Sequence, residues 1–208
     1  MALPITESQA RRATVWLKTH FEQDITAALA NTPWTIDLVC AIACQETAYK
    51  WLYWINTHQP DIILQRCVLD ASGDFPGTSR KAFPKNRTAF EAKYGPALTN
   101  MLIEEGNKQR AMPQPDAPNR YKPAKYLYKG YGLFQNDLQN ITDNPSFFEN
   151  RQWYNMGDCV KQLVVELERK AAHASDLRTT VRMYNGSGQR AENYADNVMQ
   201  FHEIAKMV

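Results

Sequence analysis

The sequence predicts a mainly α-helical protein, and three observations carry that prediction. Near the N-terminus Ala13, Leu17, Phe21, Ile25 and Leu29 recur at four-residue spacing, the signature of one buried helical face. Similar stripes return late in the chain, with Val160, Leu163, Val164 and Leu167, and again with Tyr194, Val198, Phe201 and Ala205. Little of the chain alternates in the way that would build a large sheet. At 208 residues, 44% hydrophobic and 22% charged, the chain has the size of one domain and can bury a core without metals or staples.

The elements follow in order. Thr6 opens a Thr-x-x-Gln capping pattern ahead of the first stripe. "NTP", Asn31 to Pro33, breaks that helix and offers a cap and a first-turn proline to the next, which is expected to begin near Trp34. Leu38 to Cys44 carries no charge, so this second helix is apolar all round and expected to be buried, with Glu46 about three turns in. From about residue 60 to 129 the pattern loosens. Helical pieces sit between turn-rich stretches and the prolines Pro113, Pro115, Pro118 and Pro123, while Tyr121, Tyr126 and Tyr128 argue for a packed or binding insertion. "KGYGLFQND", Lys129 to Asp137, reads as an extended turn or small sheet. "MGDCVKQLVVELERKAA" and "SDLRTTVRMYN" read as helices, Asn185 to Gly188 as a break, and "RAENYADNVMQFHEIAKMV" as a closing amphipathic helix.

A net charge of +2, with no dense basic run interleaved with aromatics, gives no footprint for nucleic acid. It suits an acidic polymer. The N-terminus lacks the apolar core of a signal peptide, with Arg11 and Arg12 falling inside the place it would occupy, and no run approaches a membrane span. Cys40, Cys44, Cys67 and Cys159 match no zinc spacing and read as buried thiols; Cys67 with Cys159 is the one pairing to test. His20, His58, His173 and His202 show no paired ligand spacing, so neither a metal nor another cofactor is expected.

Glu46 poses the chemical question. A carboxylate at the edge of a buried helix is either paired, most simply with an arginine, or held in a setting that resists ionisation. The apolar helix before it, Tyr49 and Trp51 as possible walls, and its place near the helix C-terminus all disfavour the anion. Those are the requirements of a general acid.

Three stretches in order resemble the goose-type lysozymes and the related lytic transglycosylases. "IACQETAY" is similar to the family's apolar helix ending in the catalytic glutamate. "GYGLFQND" is similar to its Gly-x-Gly-Leu-Met-Gln-x-Asp turn, with Phe134 in the Met place. "MYNGSGQRAENYADNVMQFHEIA" is similar to its Tyr-Asn-Ala-Gly segment and tyrosine-bearing last helix. The resemblance covers residues 35–56 and 130–207. It implies one lysozyme-like catalytic domain over residues 1–208, with helical lobes, a small extended segment at a glycan cleft, and a long insertion at about 60–129. Glu46 and Asp137 stand much further apart in the chain than the few tens of residues usual in the family.

By the same resemblance Glu46 is the acid and Asp137 the base of an inverting hydrolase, with Asp70 and Asp74 as rivals from the insertion. Asp137 read by itself is equally a turn carboxylate capping a backbone amide. If no protein base serves, the substrate's own 6-hydroxyl attacks, as in a lytic transglycosylase. Tyr131, Gly132, Phe134, Gln135, Tyr184, Asn185 and Tyr194 match substrate-lining positions, Gly130 and Gly132 letting the backbone approach the sugar; on periodicity alone Tyr194 is core. The expected substrate is the peptidoglycan backbone of N-acetylmuramic acid and N-acetylglucosamine, with chitin as alternative. A non-catalytic glycan-binding module is a reading of a different class, and a cysteine hydrolase using Cys44 is a distant one. Without a signal peptide, the expected settings are a phage lysin, or a toxin injected by a secretion machine and matched by a cognate inhibitor protein in the producing cell.

Overall fold

The computed structural model describes residues 3–113 and 122–208; Pro115, Pro118 and Tyr121 of the proline-rich stretch lie outside them. In chain order the elements are α1 (Glu7–Ala28), α2 (Ile36–Glu46), α3 (Ala48–Trp51), α4 (Pro60–Gln65), β1 (Val68–Leu69), α5 (Arg87–Arg110), β2 (Gly130–Tyr131), β3 (Asn136–Asp137), α6 (Pro145–Glu149), α7 (Met156–Ala171), α8 (Leu177–Asn185) and α9 (Gln189–Lys206). Short 3-10 turns cover Leu138–Thr142 and Gln152–Tyr154. The protein is mainly helical, with one small antiparallel sheet. The chain divides into two compact units, Met1–Leu52 with Met156–Val208, and Tyr53–Asn155.

The first unit is built around α2. Leu38 to Cys44 are all buried, and α1 and α9 pack on this helix. Burying Leu38, Val39 and Ile42 contributes about 1.5–3 kcal/mol each. The α1 stripe of Ala13, Leu17, Phe21, Ile25 and Leu29 is buried as the spacing predicts, and Thr6 with Gln9 forms a full capping box. The α7 and α9 stripes are buried too. The start of α2 differs from expectation: Thr35 is its N-cap, accepting from the Leu38 N–H at 3.3 Å, so the helix begins at Ile36, after both Asn31 and Pro33. A hydroxyl one residue ahead of the apolar run caps it more directly than an asparagine four residues earlier.

The second unit centres on the sheet, ordered β1-β2-β3. Val68 pairs with Tyr131 and Leu69 with Gly130, then Gly130 pairs with Asp137 and Tyr131 with Asn136. Residues expected to form an insertion are therefore stitched by backbone bonds to the "GYGLFQND" turn. Tyr131, Phe147, Phe148 and Trp153 make a buried aromatic cluster, with Tyr131 meeting Phe148 and Trp153 edge-on at 5.4 and 4.8 Å. α5 is capped by Asn86 and kinks at Gly95 (φ 79°), ahead of Pro96. A proline removes one helical donor and clashes with the preceding turn, and glycine alone takes the positive φ without strain.

All four cysteines are buried thiols, which answers the proposed Cys67–Cys159 bridge in the negative. Burial pushes the Cys40 thiol up to about 12 and Cys44 well above its ordinary value, so neither provides a thiolate near neutral pH. The cysteine-hydrolase reading fails on that ground.

Candidate active site

Glu46 is the last residue of α2, and Thr47 (φ −138°, ψ −12°) interrupts the helix before α3 resumes. The buried hydroxyl of Thr47 accepts from the Trp51 indole at 3.0 Å, and Trp51 packs on Trp16 with ring centroids 4.9 Å apart. These contacts fix the point where the apolar helix stops, and hence where the carboxyl emerges. Trp51 is fully buried, whereas Tyr49 is 42% exposed. Tyr194 of α9 meets the acid directly, its hydroxyl donating to Glu46 Oε1 at 2.7 Å.

Burial pushes the Glu46 carboxyl up to about 7, against the hydrogen bond from Tyr194, which lowers it. Tyr194 is itself buried and its phenol stands well above the ordinary value, from burial and from the neighbouring Glu46, so it remains a donor. Tyr184 of α8 stacks on Tyr194 with centroids 6.3 Å apart and planes 29° apart. Asn185, the last residue of α8, is exposed, and Gly186 and Gly188 beyond it both have positive φ. Four predicted residues, Glu46, Tyr184, Asn185 and Tyr194, thus fall in the first unit, with Tyr194 on the acid and Tyr184 stacked behind Tyr194. Gln45 was not anticipated. Its Oε1 is buried with no hydrogen-bond partner among the described residues, and its one sequence signal is being a lone amide between the apolar run and Glu46.

The remaining predicted residues lie in the second unit, and their geometry is that of a braced turn. Gly132 (φ 79°) and Gln135 (φ 53°) close the β2–β3 hairpin. The Gln135 side-chain amide donates to the Gly132 carbonyl at 2.8 Å. A Cβ at Gly130 would stand 2.2 Å from Gln135 Oε1, so the glycine makes room for that amide. Tyr131 and Phe134 are buried, so these side chains fill the interior of the turn, where a sugar-lining role was expected.

The three candidate bases are all engaged. Asp137 accepts from Arg80 Nη2 at 2.5 and 2.7 Å and from the Gln139 N–H at 2.8 Å, capping the 3-10 turn that follows. Asp74 accepts from the Arg87 N–H at 2.9 Å and from Lys129 Nζ at 2.6 Å. Lys129 is fully buried, and burial outweighs its carboxylate partners to hold its ammonium below the ordinary value. Asp70 (φ 63°) accepts from the Ser72 N–H at 2.9 Å and stands 3.7 Å from Arg80. Arg80 and Lys129, which organise these carboxylates, were not anticipated, because isolated cations in turn-rich sequence carry no periodic signal.

A fully buried glutamate, Glu105, supplies the paired arrangement considered for Glu46. It accepts from Lys108 at 2.8 Å, Arg151 at 3.0 Å and the Tyr154 hydroxyl at 2.5 Å. Burial pushes its carboxyl up, but these three partners outweigh it and hold the group below its ordinary value. Among the described residues no group of three or more His, Cys, Asp or Glu side chains is placed to hold a metal ion. No described helix is long and apolar enough to cross a membrane. Comparison of the chain with family models, with curated proteins and with solved structures finds no match.

Proposed function

We infer that the chain is a glycoside hydrolase of the muramidase type, cleaving the glycan backbone of peptidoglycan with Glu46 as general acid. One observation carries this: a carboxyl at the end of an apolar helix, pushed up to about 7 by burial, with a tyrosine hydroxyl donating to it at 2.7 Å. Cleaving a glycosidic bond requires a proton on the leaving oxygen, and a group whose pKa lies near ambient pH both holds that proton and releases it. Tyr194 fixes the Oε1 side of the carboxyl, leaving Oε2 to carry the proton toward the leaving oxygen. The helical build and the three motif resemblances support a fold of the goose-type lysozyme kind. The acetamido-bearing backbone is the substrate that this resemblance implies, with chitin as the alternative polymer.

A second reading has its own support. Asp137 and Asp74 are each held by a cation and by backbone amides, and Asp137 does for its turn what a capping carboxylate does. That favours attack by the sugar's own 6-hydroxyl, as in a lytic transglycosylase, over water activated by a protein base. Mass analysis of products from purified peptidoglycan and from chitin oligomers, run in parallel, tests both readings. Reducing ends mark the hydrolase and anhydromuramyl ends the transglycosylase. Products from chitin alone would move the substrate to chitin, and no product from either polymer would remove the enzymatic reading.

A further inference from the structure

Between β1 and the kink of α5 the chain reads "SRKAFPKNRTAFEAKY", Ser79 to Tyr94, with five cations against the single carboxylate Glu91. Spread this thinly they form no basic run, but the structure sorts them into two kinds. Arg80 lies 2.5 Å from Asp137 and 3.7 Å from Asp70, and Arg87 pairs with Glu91 at 3.2 Å. Asp74, which accepts from the Arg87 N–H, is met by Lys129 at 2.6 Å. The carboxylates near this stretch are therefore held by cations other than its lysines. Lys81, Lys85 and Lys93 are exposed, and none of the three meets a carboxylate among the described residues.

These three ammoniums share one braced part of the surface of the second unit. Lys93 Nζ sits 5.0 Å from the centre of the Phe83 ring and 5.3 Å from that of Tyr94, while Lys81 and Lys85 flank Phe83 two residues to either side. Phe83 and Tyr94 pack against the fully buried Phe90, with centroids 6.3 and 4.8 Å away. Arg80 donates to the Phe83 carbonyl at 3.3 Å, so the loop carrying Lys81 and Lys85 is tied to the arginine that holds Asp137. Like charges on one surface repel, and an anion relieves that repulsion. Charges spread over an open surface suit a polymer with repeated anionic groups. Three ammoniums fall short of the roughly 6–10 phosphate contacts of a firm nucleic-acid complex.

We propose that Lys81, Lys85 and Lys93 hold the peptidoglycan substrate by the carboxylates of its peptide stems. The choice of polymer rests on the glycan reading of Glu46, whereas the sign of the ligand's charge rests on the lysines. Stem carboxylates recur along every strand, so a weak contact at each lysine is multiplied into residence on the polymer. The surface binds and takes no part in breaking the glycosidic bond.

The test is sedimentation of the Glu46→Gln protein with purified insoluble peptidoglycan, stripped of attached polymers, at low salt. Lys81→Glu, Lys85→Glu and Lys93→Glu are each expected to weaken binding about two- to fivefold, the scale of an exposed ion pair, and the losses are expected to fade near about 1 M salt. Lys93→Gln, which removes the charge without setting an anion over the rings, serves if Lys93→Glu does not fold. Lys170→Glu makes the same change of net charge in the first unit and is expected to leave binding unchanged. Peptidoglycan whose carboxylates have been converted to neutral amides is expected to bind more weakly and no longer to distinguish the variants. Binding unmoved by the three reversals, or moved as much by Lys170→Glu, would overturn the proposal, as would undiminished binding to the amidated polymer. Reversals that abolish binding to duplex DNA while peptidoglycan binding stays intact would overturn it in favour of a nucleic acid. Fragment release by the wild-type chain with binding unmoved by the reversals removes this inference alone. Lysine-dependent binding without release by the wild-type chain removes the cleavage reading alone.

Discussion

Desolvation works against both the Glu46 and the Glu105 carboxylate, yet one carboxyl is pushed up to about 7 and the other is held below its ordinary value, because among the described residues Glu105 is held by two cations and a phenol and Glu46 by a phenol. The signs of their linkage to stability are opposite. Glu46 binds its proton more tightly folded than unfolded, so its contribution is complete below about 4.5 and is lost as pH rises through about 7. The full swing is about 3 kcal/mol at 1.36 kcal/mol per pH unit. Glu105 contributes above the unfolded carboxylate range and loses that contribution as pH falls through its lowered folded value. In urea unfolding, Glu46→Gln is therefore expected to gain stability relative to wild type as pH rises from 4.5 to 8. Glu105→Gln is expected to lose about 1–3 kcal/mol at pH 7, the scale of charge-assisted hydrogen bonds, since Lys108 and Arg151 are over a third exposed and keep access to water. Equal pH slopes for Glu46→Gln and wild type would mean that Glu46 is ionised at neutral pH. Tyr194→Phe removes the bond that lowers the acid's pKa, so the alkaline limb of the rate profile is expected to move upward from about 7. A downward move would mean that Tyr194 acts on the acid in another way. The apolar run before Glu46 was legible in the sequence, and so was Tyr194 through the family resemblance. Its donor role was not, because periodicity marks a residue as core without saying what its hydroxyl meets.

The β2–β3 turn shows how an element can be named from sequence while its purpose is misread. Its glycines and Gln135 were legible as a turn, but the bonds that define it come from distant segments: Cys67 accepts the Gly132 N–H at 2.8 Å, and Arg80 clamps Asp137. Such pairings depend on loop closure over tens of residues, which no local pattern encodes. The helices were more legible, since α1, α7 and α9 each bury the stripe read from their spacing. Arg80→Ala and Asp137→Asn are expected to destabilise the protein by similar amounts, about 1–3 kcal/mol, the scale of a charge-assisted hydrogen bond. Chemical denaturation checks this. If Asp137→Asn, confirmed as folded, also lowers turnover on the order of 10²-fold while Arg80→Ala does not, Asp137 is the base of a hydrolase. If both keep most of the rate, the substrate's own hydroxyl is the nucleophile.

At the scale of the molecule, the mainly helical build follows from the three apolar stripes, and the burial of Cys40 and Cys44 follows from their place within an apolar run. What the sequence did not reveal is the extent of the second unit. Residues 60–129 look irregular because α5 breaks its spacing at Gly95 and Pro96, and because ion pairs and a two-residue strand, Val68–Leu69, order other described residues of this stretch. The reading of the whole rests on Glu46 being a protonated acid that acts on a glycan. The most direct measurement is the rate of soluble fragment release from purified peptidoglycan across pH 4 to 9, for wild type and for Glu46→Gln side by side. The expected result is release by wild type that falls on the alkaline side with an apparent pKa near 7, and none by the folded Glu46→Gln variant. Release by Glu46→Gln at a comparable rate, or a wild-type profile unchanged through pH 7, would contradict it.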